Sequence, residues 1–167
     1  MTPLDSTRTA RVGIPAYPDD PRSTLEPVAP TWIDRLMQRF YEVISFAEGD
    51  EPDWEGMSAL FSRHARITRV TPEGIDHLDV PGFQDLVREL LEVGAFTSFY
   101  EHEIARRVDP YGGIVHVASA YETKISLRAR DFLHRGVNSL QLIVESGEWK
   151  ILSLCWDEHA PFQGVAT

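Results

Sequence analysis

The sequence predicts an α+β domain in which helices come first and long antiparallel strands follow. Three observations carry that prediction. Apolar residues recur at helical spacing from Ile33 to Ile44 and again from Phe83 to Leu91. From Phe96 onward the pattern changes to long strand-like runs divided by turn residues. The chain then closes on two hairpins, the second ending in Glu148-Trp149-Lys150-Ile151-Leu152-Ser153-Leu154-Cys155-Trp156. A length of 167 residues suits one domain with a real core, and an apolar fraction of 43% is ordinary for such a domain.

Each element has a local signal. Residues 1–29 hold Pro3, Pro15, Pro18, Pro21 and Pro27 without an apolar period, which reads as a flexible arm. The domain is expected over 30–160, with a flexible tail over 161–167. Ile33, Leu36, Met37, Phe40, Tyr41 and Ile44 form one face of a first helix, with Thr31 and Asp34 as a capping box, ending near Ala47. Asp53 caps a short second helix through Trp54, Met57, Leu60 and Phe61. A strand over 65–70 and a turn at Thr71-Pro72-Glu73-Gly74 follow. Asp79 caps a third helix with Pro81 in its first turn, stopped by Gly94. Four strands are then expected, over 96–108, 114–126, 135–145 and from 148 to the Trp156 region.

Composition excludes several function classes. A net charge of −10 counts against nucleic-acid or anionic-membrane binding. Cys155 is the only cysteine, so no internal disulfide forms, and nothing beside it would activate a thiolate. No apolar run reaches the roughly 18 residues of a membrane span, and no hydrophobic signal core opens the chain, so a cytoplasmic protein is expected. The six histidines have no metal-ligand spacing and no glycine-rich phosphate loop occurs. Neither a metal nor a cofactor is expected.

The order of elements resembles the nuclear transport factor 2-like superfamily over Pro30 to Glu158. That group includes ketosteroid isomerases, polyketide cyclase-like proteins, scytalone dehydratase and small subunits of ring-hydroxylating dioxygenases. Leu36-Met37-Gln38-Arg39-Phe40, Leu60-Phe61-Ser62-Arg63-His64-Ala65, the helix from Asp79 to Gly94, and Gly147-Glu148-Trp149-Lys150-Ile151 carry the resemblance. It implies a cone-shaped curved sheet, mixed or antiparallel, packed on three N-terminal helices. It also implies a pocket between sheet and helices and a homodimer through the convex face. Against the ketosteroid isomerases, the catalytic tyrosine matches Phe40, the general-base aspartate matches Arg69, and the second oxyanion donor matches Ser139, while the pocket tryptophan matches Trp156. Ketosteroid isomerase activity is therefore not expected.

A hairpin turn at Ser146-Gly147 sets which residues share a face. It places Val137, Ser139 and Gln141 beside Trp156, Leu154 and Leu152 on the pocket face. The preceding strand offers either Val117, Ser119 and Tyr121 or His116, Ala118, Ala120 and Glu122; the first set is favoured because Ser119 and Tyr121 would sit near Ser139 and Gln141. Phe40, Phe83, Val87 and Leu90 could supply the helical wall. Glu101-His102-Glu103 puts two carboxylates on one strand face, which also suits a solvated edge. Arg135 is expected across from Glu158. The expected function is an apolar pocket for a small hydrophobic or aromatic molecule. An isomerase, dehydratase or cyclase without a cofactor would use an ionisable group there, with Tyr121, Glu103 and His116 as candidates. The alternative is a non-catalytic ligand-binding or assembly module, such as a small subunit supporting a larger enzyme.

Overall fold

The computed structural model describes residues 31–127 and 130–158. The expected arm and tail lie outside the described residues. Three helices pack on one face of a six-stranded sheet. Helix α1 (Trp32–Ile44) begins with the expected capping box: the Thr31 hydroxyl accepts from the Asp34 amide at 3.3 Å, and Asp34 accepts from the Thr31 amide at 2.7 Å. It buries Leu36, Met37, Phe40, Tyr41 and Val43. Helix α2 (Trp54–Leu60) is capped by Asp53, which accepts from Gly56 N at 2.8 Å and also pairs with Arg39 of α1. Helix α3 (Val80–Glu92) has Asp79 as its cap, accepting from Gly82 N at 2.9 Å.

The strands are β1 (Phe61–Thr71), β2 (Gly74–Leu78), β3 (Ser98–Tyr111), β4 (Ile114–Leu127), β5 (Arg130–Glu145) and β6 (Glu148–Asp157). They lie in the order β2-β1-β6-β5-β4-β3; β1 and β6 are parallel and all other neighbours antiparallel. Strand β2 was not expected. It has five residues, of which Gly74, Ile75 and His77 are exposed, so it carries no buried alternation to reveal it.

The closing hairpin turns at Ser146 and Gly147, whose φ values of 53° and 84° both lie in the left-handed region that a two-residue hairpin turn requires. Pairing runs regularly from Glu145↔Glu148 to Leu142↔Ile151 and then jumps to Gln141↔Ser153. Leu152 is the extra residue of a β-bulge. A one-residue shift exchanges the faces of everything beyond it. Leu140, not Ser139, therefore lies opposite Leu154, and Ser139 lies opposite Cys155. Toward the hairpin end the inner face is solidly packed. Val115, Val117, Leu140, Leu142 and Ile151 meet Met37, Phe40 and Met57, all nearly or fully buried.

Candidate functional site

Toward the other end of the strands the helices no longer fill the curve of the sheet. A cavity of about 360 Å³ opens there. Its wall is mainly aromatic and aliphatic: Phe40 and Ile44 from α1, Phe61 from β1, Phe83, Val87 and Leu90 from α3, Phe96 and Phe99 around the start of β3, and Leu154 and Trp156 from β6. Phe83 meets Trp156 edge-on at 6.1 Å. The wall is the kind that takes a small apolar molecule.

A few polar groups interrupt it, and the register explains their placement. Glu101, Thr123 and His134 lie in one row across β3, β4 and β5. Glu103, Tyr121 and Gly136 form the next row, and Arg106, Ser119 and Asn138 the one after. Glu101 is 7% exposed. Thr123 donates to its Oε2 at 2.6 Å and Asn138 Nδ2 to its Oε1 at 3.0 Å. Burial raises its pKa to about 7; the hydrogen bonds from Thr123 and Asn138 oppose that rise without cancelling it. The Tyr121 hydroxyl accepts and donates no hydrogen bond among the described residues, and burial pushes its pKa far above the ordinary phenol value. The ring reaches across β5 because Gly136 stands opposite; a side chain there would overlap it. His134 also lines the cavity, with Nε2 buried and unpartnered among the described residues. At the partly exposed rim, Arg69 pairs with Asp76 at 2.7 Å and with Glu158 at 3.3 Å.

The residues read from the sequence divide into three groups. Phe40, Arg69, Tyr121, Leu154 and Trp156 line the cavity, together with the helical residues Phe83, Val87 and Leu90. Val117 and Ser119 face inward as favoured, but both are fully buried in the packing beside the cavity. Val137, Ser139 and Gln141 do not face inward: β5 alternates without a break, so Leu142, Leu140 and Asn138 share the inner face, and the bulge at Leu152 brings Leu154 and Trp156 of β6 onto that face beside them. His116 shares their outer face, where its Nε2 lies 3.1 Å from Ser139 Oγ. Glu103 borders an outer groove beside α1, accepting from Ser119 and pairing with Arg106 at 3.1 Å. Arg135 pairs with Glu122 at 2.7 Å because the register sets the two opposite each other, while Glu158 is held by Arg69.

Glu101, Thr123, His134 and Asn138 are polar cavity groups that the sequence reading did not assign to the site. Glu101 shares its strand face with Glu103, so alternation identified the pair. What separates the two is Ser45, whose hydroxyl accepts from Glu101 N at 3.1 Å and whose neighbour Phe46 bonds to Phe99 on both sides. That cover seals the Glu101 end of the edge strand.

A helix layer on a curved mixed sheet with an interior cavity defines a cone-fold protein. It is the fold that the resemblance in the sequence implied, and solved structures share it. Among similar solved structures is a scytalone dehydratase-like protein from Novosphingobium aromaticivorans, 16% identical, with 74% of this chain and 79% of that one covered and a TM-score of 0.59. Another is the hexachlorocyclohexane dehydrochlorinase LinA-type3 from Novosphingobium barchaimii, 15% identical, covering 81% and 90% with a TM-score of 0.61. A protein of unknown function with a cystatin-like fold from Nostoc punctiforme is 13% identical, covering 75% and 86% with a TM-score of 0.57. No family model matches the sequence, and no curated protein matches it. At these identities the likeness is one of fold.

Proposed function

We propose that this protein is a cofactor-independent acid/base enzyme that removes a proton from carbon in a small, uncharged hydrophobic molecule, with Glu101 as the base. The observation that carries this reading is a buried carboxyl with a pKa of about 7 on the wall of an otherwise apolar cavity. A base poised near the working pH is the most effective, and desolvation makes its carboxylate hungry for a proton. Tyr121, held neutral by burial, donates a hydrogen bond to the substrate oxygen or leaving group. The rim suits an uncharged molecule, because two carboxylates already surround Arg69.

Elimination fits best. Glu101 takes the proton, the C–H electrons become the new double bond, and a hydroxyl or halide departs from the neighbouring carbon. Glu101 returns its proton to solvent afterwards. Dehydration or dehydrohalogenation in fold neighbours supports this choice by analogy only. The test is a panel of uncharged alicyclic and aromatic alcohols and halides, assayed with the parent and Glu101→Gln. Turnover should rise with pH through about 7 and fall at least 100-fold in Glu101→Gln. Binding without turnover of any panel member would instead assign a ligand-binding module.

Two copies are proposed to meet through the outer sheet face, where Tyr100 and Leu133 lie exposed on either side of Lys124. Sedimentation of the purified chain checks this, and a monomer at micromolar concentration would exclude it.

A further inference from the structure

Behind Glu101 a buried hydrogen-bond chain leads away from the cavity. Asn138 Nδ2 lies 3.0 Å from Glu101 Oε1 and 3.5 Å from the Tyr41 hydroxyl. That hydroxyl lies 2.7 Å from Ser119 Oγ, and Ser119 in turn bonds to Glu103 Oε1. Asn138, Tyr41 and Ser119 are all buried. Arg106 pairs with Glu103 and reaches Asp34, the helical partner of Thr31 in the α1 capping box, at 2.8 Å.

The chain has a direction. Glu103, paired with Arg106, is a carboxylate and can only accept, so Ser119 donates to it. Ser119 Oγ then accepts from Tyr41, whose hydroxyl burial keeps protonated. The Tyr41 oxygen is left to accept, so the group facing it from Asn138 is the NH₂. The same nitrogen faces Glu101. A flipped amide would point its carbonyl oxygen at both the Tyr41 oxygen and the Glu101 carboxylate, two acceptors with no donor between them.

We propose that Asn138 is a positioning residue for Glu101, and that α1, acting through Tyr41, Ser119 and Glu103, holds its amide with the nitrogen turned toward the cavity carboxylate. The inference rests on the reading of Glu101 as the base. It adds a mechanical link between the capped start of α1 and the ionisation of a group in the cavity. The titratable and charged groups that share a cavity or groove wall with Glu101 are Asp34, Tyr41 and Glu42 from α1, Tyr100, His102, Glu103 and Arg106 from its own strand, Tyr121 from β4, His134 from β5, and Arg69 and Glu158 at the rim.

The experiment titrates the Glu101 carboxyl carbon by NMR in full-length protein labelled at glutamate Cδ, its signal assigned by loss in Glu101→Gln. Asn138→Leu should raise its midpoint by about one pH unit or more, the worth of a lost bond to a charged acceptor. Tyr41→Phe and Ser119→Ala, which remove single oxygens and keep the fold, should raise it in the same direction by less. Glu122→Gln, on the outer face of the same strand as Ser119, should leave it unchanged. An unmoved midpoint in Tyr41→Phe and Ser119→Ala overturns the proposal whether or not Asn138→Leu folds. Shifts as expected, with turnover surviving in Glu101→Gln, would keep the positioning link and remove the catalytic reading of Glu101.

Discussion

The two ends of β4 and β5 are built differently, although the same strands run through both. At the hairpin end Val115, Val117, Leu140 and Leu142 face helices that fill every gap. At the other end Thr123, Tyr121, His134 and Asn138 face a cavity. Polar residues gather on the inner face where the helices stop filling it, with Ser119 buried at the boundary and bonded to Tyr41 and Glu103. The packed end supplies stability and the open end holds side chains that a tight core would exclude, since a buried polar group without a partner is costly.

That contrast can be broken first at the packed end. Leu140→Ala should cost about 3 kcal/mol in chemical denaturation, as truncations at fully buried core sites do, while leaving the binding of an aromatic probe in the cavity unchanged. Glu101→Gln tests the open end and should be pH-dependent. A pKa raised from 4.5 to about 7 corresponds to roughly 3 kcal/mol as an upper bound. Below about pH 4.5 the carboxyl is protonated folded and unfolded, and it contributes no pH dependence. Between that pH and about 7 the unfolded chain releases the proton while the fold retains it, so stability falls as pH rises. Glu101→Gln should therefore stabilise the protein at pH 8 and do little at pH 4; melting curves at both values check it. Gly136→Ala should displace the Tyr121 ring and cost about 1–3 kcal/mol while weakening probe binding. Arg135→Ala, which removes an exposed pair on the outer face, should change stability by less than about 0.5 kcal/mol.

Much of the frame was legible in the sequence because its signals are local. The Thr31–Asp34 box, the Asp53 and Asp79 caps and the Ser146-Gly147 turn each depend on a few neighbouring residues. Alternation offered two sets on β4, and Val117, Ser119 and Tyr121 were favoured for nearness to Ser139 and Gln141, which face the other way; the set faces inward although its stated reason does not hold. Strand β2 was missed because it is short and largely exposed. The inward set of β5 was misread because Leu152 looks like any strand leucine, and nothing local marks it as the residue that drops out of pairing. Glu103 was preferred to Glu101 because both obey one alternation. Only the contacts of Ser45 and Asn138, made across the fold, tell them apart.

The Leu152 bulge means that the cavity's chemistry is written in a reading phase as well as in residue identities. If Leu152 paired regularly with Gln141 instead of dropping out, Leu154 and Trp156 would turn outward and Ser153 and Cys155 inward, without changing any letter of the sequence. The place where pairing skips one residue thus decides which side chains of β6 the cavity receives, as surely as the identity of any residue in its wall.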